Sequence, residues 1–140
     1  MRIPLSAQPS STEDTLIKNA RAIHEKVIVL DSHIDFEPAD LISEQNYTQR
    51  VQTQFNLPNM IDGGVDALFF VVYVGQTRES QNPDALKPAG YVRAYAKAVE
   101  KFAAVHRFTS EIAQEQIELA LSAADIRRIH AKGKKAGSWV

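Results

Sequence analysis

The sequence predicts an α/β protein whose strands run parallel. Residues 27–30 and 65–74 are short, continuous apolar runs rich in β-branched side chains, which is typical of strands covered on both faces. Segments with helical periodicity alternate with these runs. The order helix, strand, long excursion, strand, helix, helix and incipient strand is that of parallel strands joined by right-handed crossovers.

Composition and charge fit one globular unit with a hydrophobic core. The chain has 140 residues, 44% of them hydrophobic, and a formal net charge of −1 from 16 basic and 17 acidic residues. That balance gives no reason to expect a nucleic acid or an anionic membrane surface as a partner. Cysteine is absent, so any metal would be held by His, Asp or Glu.

No segment has the composition of a signal peptide or a membrane span. Pro4 and the polar residues after Leu5 leave no apolar core near the N-terminus. The longest apolar run, residues 67–74, is far shorter than the roughly 20 residues that cross a bilayer. We therefore expect a cytoplasmic chain without a transmembrane segment, with a flexible arm at residues 1–9 and one structural unit at residues 10–140.

The first predicted elements are a helix and a strand. Apolar residues recur at helical spacing through residues 13–25, and Ser10 with Glu13 has the spacing of a capping box. The apolar run at residues 27–30 follows at once and predicts a strand buried on both faces. This strand leads directly into the polar sequence Asp-Ser-His-Ile-Asp, which begins at Asp31.

The middle of the chain alternates loops with short elements. Residues 37–56 are mostly polar and predict a loop with some helix. Residues 57–62 predict a short helix with Pro58 at its start, ended by the glycine pair 63–64. A strand at residues 65–74 and a loop at residues 75–88 follow.

The last third predicts two helices and the opening of a third strand. The best helix spans residues 90–107, with Val92, Tyr95, Val99, Phe102 and His106 on one stripe. A brief extended piece at residues 117–121 precedes a helix that Ser122 caps and Gly133 ends. Residues 136–140 resemble the start of a strand. Two strands and a stub make a poor independent sheet, so we expect a part of something larger, with exposed apolar surface that favours self-association.

His33 and Asp35 are the candidate metal ligands. Residues two apart in an extended segment point the same way, so an imidazole and a carboxylate project together from the end of a strand. Both bind Zn²⁺ at roughly 2.0–2.2 Å. Asp31 precedes them on the same face and is the candidate acceptor for the second N–H of the His33 imidazole.

Other interpretations of these residues stay open. His-x-Asp arises often by chance, and polar residues also gather where a strand gives way to a loop. Tyr73, near the end of the second predicted strand, is a candidate for lining a substrate pocket, with packing in the core as the favoured alternative. No nucleophile elbow or phosphate-binding glycine loop is present.

Three segments resemble the N-terminal part of the membrane (renal) dipeptidase family of zinc metallopeptidases. VIVLDSHIDFEP resembles the first strand and the Asp-x-His-x-Asp that follows it. NLPNMIDGGVDALFFVVYV is similar to the second strand, entered through a helix and a Gly-Gly turn. SAADIRRIHAKGKKA is similar to the helix before the third strand. These segments occur in the family's order, from about Thr15 to Ala136.

The resemblance implies a (β/α)₈ barrel that hydrolyses dipeptides with a water molecule activated by two zinc ions. His33 and Asp35 would bind the first zinc. A bridging glutamate, the histidines of the second zinc and a substrate-binding histidine belong to later strands, so at most one partial zinc site is expected here and the isolated chain is expected to be inactive. A barrel needs about 250 residues. The alternatives are a non-catalytic truncated remnant or interaction fragment, and another barrel-type metal-dependent hydrolase.

Overall fold

The computed structural model describes residues 11–75 and 86–140, which form a four-stranded parallel sheet with helices on it. The strands are β1 (Leu30–Ile34), β2 (Ala67–Phe70), β3 (Ile117–Leu119) and β4 (Lys135–Trp139), in the spatial order β1-β2-β4-β3. The α-helices are α1 (Ser11–His24), α2 (Pro38–Ile42), α3 (Leu57–Asp62), α4 (Pro88–Arg107) and α5 (Ala123–Ala131), and a π-helical turn, Phe108–Ile112, follows α4. The predicted α/β class with parallel strands is confirmed. The predicted arm at residues 1–9 lies outside the described residues.

The first strand lies later in the chain than its apolar run predicted. The predicted strand covered residues 27–30, whereas the ladder with β2 begins at Leu30 and reaches Ile34, with a shift of register between Asp31 and Ile34. The expectation that both faces are buried was also wrong, because Val27, Ile28 and Leu30 are 49%, 37% and 44% exposed. Within the described part of the chain β1 is an edge strand, so its side chains are covered only in part.

The sheet has four strands rather than two and a stub. β4 lies inside the sheet and pairs with β2 on one side and β3 on the other. β3 comes from the segment predicted as a brief extended piece. β2 is shorter than its apolar run, since only Ala67–Phe70 pairs in the ladder.

Two apolar clusters hold the fold together. Successive residues of a strand point to opposite faces, and β2 accordingly places Ala67 in one cluster and Leu68 and Phe70 in the other. Ile129 of α5 is fully buried in the smaller cluster. The larger cluster also contains Leu41 and Tyr47. The polar stretch at residues 37–56, predicted as a loop with some helix, therefore contributes to the core.

The residues predicted to form one apolar face of α4 do not share one environment. Some are exposed to solvent, and the others contact the carboxyl end of β4. Val92, Tyr95 and Val99 are 68%, 74% and 46% exposed, whereas the rings of Phe102 and His106 contact Trp139 at centroid distances of 5.5 and 4.9 Å. The face that packs against α2 and the core carries Lys101, Ala104 and Val105 instead. The expected exposed apolar surface is present, and self-association through it remains a prediction.

None of the helices within residues 11–75 and 86–140 combines the length and the apolar character that crossing a membrane requires.

Gly137 lies in β4 close to two core side chains, and Gly137→Ala is expected to destabilise the protein. A Cβ atom there would lie 3.1 Å from Cδ1 of Ile117 and 3.2 Å from Cε2 of Phe70, and both side chains are fully buried. Overpacking a core commonly costs about 1–3 kcal/mol, so we expect the free energy of unfolding in urea to fall by about 1–2 kcal/mol. Ser138→Ala in the same strand is the control. An unchanged urea midpoint for Gly137→Ala would contradict this account.

Candidate metal site

His33 and Asp35 lie together at the carboxyl end of β1. His33 is next to the last residue of the strand, and Asp35 is the first residue after it. Nε2 of His33 and Oδ2 of Asp35 are 3.6 Å apart, and both side chains are largely exposed. The two groups thus face the same side, as the two-residue spacing predicted.

The pair has the donor atoms and the separation that a shared zinc ion requires. Two ligands each about 2.0–2.2 Å from one tetrahedral ion lie roughly 3.3–3.6 Å apart, and the observed distance of 3.6 Å falls at the upper end of that range. Imidazole nitrogen and carboxylate oxygen are both ordinary zinc ligands. Within residues 11–75 and 86–140, however, no group of three or more potential ligands converges. The described residues therefore fit one partial site.

Asp31 supports His33 through the main chain. Its Oδ1 atom accepts a hydrogen bond from the backbone N–H of His33 at 2.9 Å. This bond fixes the backbone that carries the imidazole. The predicted bond from the imidazole ring to Asp31 stays a prediction.

Two cavities adjoin the pair. Asp31 and His33 line one of about 250 Å³ beside α3. Asp35 lines another of about 700 Å³, together with Tyr73. Tyr73 is 60% exposed, so it does not pack in the core of the described residues as the favoured alternative held, and its place in a substrate pocket stays a prediction.

The larger cavity carries more negative than positive groups. Its lining includes four carboxylates and two ammonium groups, from Asp35, Glu37, Asp40, Glu100, Lys97 and Lys101. This excess of carboxylates favours a cation next to Asp35.

The loop after Asp35 is held to the core at two points. Asp40 accepts a hydrogen bond from the backbone N–H of Glu37 at 2.8 Å and one from the hydroxyl of Tyr47 at 3.2 Å. Burial, together with the neighbouring Asp40 carboxylate, holds the pKa of the Tyr47 phenol well above its ordinary value. The phenol therefore stays a neutral donor at physiological pH. The second point is Lys101, whose Nζ donates to the carbonyl of Phe36 at 2.7 Å.

Sequence reasoning missed Lys101 and Phe36. A partial signal was available for Lys101, because three of the four residues at helical spacing from it (Ala98, Ala104 and Val105) are small or apolar, although the fourth, Lys97, is charged. Phe36 gave no signal beyond its apolar character. Its burial depends on contacts with Phe70 and Lys101, which are distant in sequence.

The other histidines lie away from the pair. The His24 ring lies against Gly64, which has a positive φ of 69° and ends α3 as predicted. His106 contacts Trp139. His130 lies 3.5 Å from Asp66 near the amino end of β2. His33 is thus the one histidine at the carboxyl end of β1.

The family model described as membrane dipeptidase (peptidase family M19) matches residues 17–138. The chain belongs to this family. The resemblance drawn from the sequence is therefore confirmed. The family is generally metal-dependent.

A solved structure of a probable dipeptidase has a similar fold. The crystal structure of the probable dipeptidase PvdM from Pseudomonas aeruginosa superposes with a TM-score of 0.72 at 16% sequence identity. The match covers 90% of the present chain and 30% of that protein. The present M19 chain thus spans about a third of the length of that relative. No curated protein matched it in a sequence search.

Proposed function

We propose that His33 and Asp35 hold a zinc ion and that this site serves the hydrolysis of dipeptides. The observation that carries the proposal is the 3.6 Å approach of an imidazole nitrogen and a carboxylate oxygen at the carboxyl end of a parallel strand. Barrel enzymes place their reactive groups at that end of their strands. Membership of the dipeptidase family supports dipeptides as the substrate class.

Each residue has a defined part in this proposal. His33 and Asp35 would bind the ion, and Asp31 holds the main chain of His33 through a hydrogen bond from the His33 backbone N–H. Tyr73 forms an exposed wall of the adjoining cavity, where a substrate side chain would lie. His33 and Asp35 would hold one ion of a zinc pair, and such a pair would provide an activated water molecule and polarisation of the scissile carbonyl. The exposure of His33 and Asp35 leaves the site open to substrate.

The 140-residue chain is expected to be inactive by itself. Two-metal hydrolysis needs ligands for two ions about 3.5–4 Å apart, and the described residues bring together two ligands for one. Loss of a single preorganised catalytic contact already costs roughly 10²–10³ in rate. The measurement is release of free amino acids from L-Ala-L-Ala and L-Ala-D-Ala with and without Zn²⁺. Zinc-dependent turnover that His33→Ala abolishes would show that this chain carries a working site.

A chimaera tests the dipeptidase assignment directly. Residues 17–138 would replace the matching segment of PvdM, which shares the fold of this chain. We expect zinc-dependent hydrolysis of dipeptides that Asp35→Asn removes, with Asp62→Asn as the control on the exposed surface. A folded, zinc-loaded chimaera that leaves dipeptides intact would contradict the assignment.

A further inference from the structure

Lys101 is a buried cation with an unusual partner. It lies in the second half of α4 and is 8% exposed, whereas lysine is almost never fully buried without a partner. Its Nζ donates to the main-chain carbonyl of Phe36 at 2.7 Å and lies 4.9 Å from the centroid of the Phe36 ring. The Glu37 carboxylate lies further away, at 3.8 Å, and is 76% exposed. The main contact of this ammonium is therefore with the backbone of the loop after β1.

The contact fixes the peptide that follows Asp35. The Phe36 carbonyl is held by Lys101, while the Phe36 ring packs edge-on against Phe70 with centroids 5.3 Å apart. Residue 36 is thus anchored through both its side chain and its main chain. Asp35 is otherwise a largely exposed residue outside the strand ladder. Because Asp35 directly precedes Phe36, the anchoring of residue 36 limits where the backbone of Asp35 can lie.

We infer that Lys101 is a positioning residue for Asp35, which it holds at chelating distance from His33. The inference rests on the proposed metal site and adds to it a residue that no spacing in the sequence relates to that site. Removal of groups that orient metal ligands commonly lowers metal affinity by 10–100-fold. Lys101 acts on Asp35 only indirectly, through the Phe36 peptide unit. We therefore expect its removal to lower metal affinity by an amount at the lower end of that range.

The test is a Co²⁺ titration of the whole chain followed by NMR, which detects weak binding through paramagnetic shifts. Lys101→Met keeps the apolar stem and removes the ammonium. We expect its Kd at the His33 site to rise about tenfold, while Lys101→Arg, which keeps a donor of similar reach, stays within about threefold of the unmodified chain. Lys97→Met is the matched control, because Lys97 lines the same cavity one turn earlier but is exposed.

Two results would overturn the inference in distinguishable ways. If the unmodified chain binds Co²⁺ at His33 and Lys101→Met binds it equally well, the inference fails and the proposed site stands. If Co²⁺ leaves the His33 signals of the unmodified chain unchanged at millimolar concentration, the metal site itself fails. Should Lys101→Met not fold, Lys101→Gln carries the same expectation, because its shorter side chain ends before the Phe36 carbonyl.

Discussion

Replacing His33 by alanine is expected to remove divalent-metal binding from this chain. The imidazole is one of two converging ligands in the described residues, and its loss leaves a single exposed carboxylate. Losing a group that only supports a ligand costs roughly 10–100-fold in affinity, so losing a ligand itself should cost more than about 100-fold. The measurement is the Co²⁺-induced shift of the Asp35 and Phe36 amide signals.

His24→Ala is the matched control for this experiment. His24 is also exposed but lies against Gly64, away from Asp35. The His24→Ala substitution therefore removes one imidazole from the chain but leaves both His33 and Asp35 unchanged. Equal Co²⁺ affinity for His33→Ala and His24→Ala would show that His33 is not a ligand of the metal ion.

Asp66→Ala is expected to destabilise the protein more than Gly137→Ala does. Asp66 lies just before β2, and its carboxylate accepts from the backbone N–H of Val29 at 3.0 Å and from Nζ of Lys135 at 3.2 Å. His130 Nδ1 lies 3.5 Å from the same carboxylate. Asp66 thus joins the amino ends of β1, β2 and β4 to helix α5.

The expected loss follows from what the substitution leaves behind. The side chains of Asp66 and Lys135 are 14% and 16% exposed. Removing one partner of a buried pair costs about 3–5 kcal/mol, because the other charge stays buried without compensation. Partial exposure lowers this figure, and we expect the free energy of unfolding in urea at pH 7 to fall by about 2–3 kcal/mol.

The exposed pair of Arg50 and Asp62 provides the control. Its side chains are 61% and 62% exposed, and surface pairs contribute about 0–1 kcal/mol. Asp62→Ala should therefore change the unfolding free energy by less than about 1 kcal/mol. A loss for Asp66→Ala no larger than that of Asp62→Ala would contradict the role given to Asp66.

The sequence predicted the existence of the helices and strands more accurately than it predicted the bounds of the strands. Helix signals are local, since caps, Pro58 and the glycine pair at 63–64 act within one turn, and α3 and α5 begin and end where those signals predicted. Strand bounds depend on the partner strand. The apolar run at residues 27–30 predicts the first strand there, but the ladder begins only where β2 lies beside it.

The candidate ligands followed from the sequence because the alternation of an extended chain is local. Residues two apart in a regular extended segment face the same side, so their spacing paired His33 with Asp35. Their side chains do approach each other, although the register of β1 against β2 shifts between Asp31 and Ile34. Tyr73 could not be placed in the same way. Whether an aromatic residue near a strand end lines a cavity or packs in the core depends on elements that lie elsewhere in the chain.

By itself the sequence determined the α/β class through its periodicity and paired His33 with Asp35 through their spacing, while the family was indicated by the resemblance of three segments in order. Only the tertiary structure decided that Lys101 holds the loop after Asp35 and that Asp66 joins three strands to α5. Those contacts link residues 65 and 69 positions apart, Phe36 with Lys101 and Asp66 with Lys135. Such links depend on how the helices pack on the sheet, which no local pattern specifies.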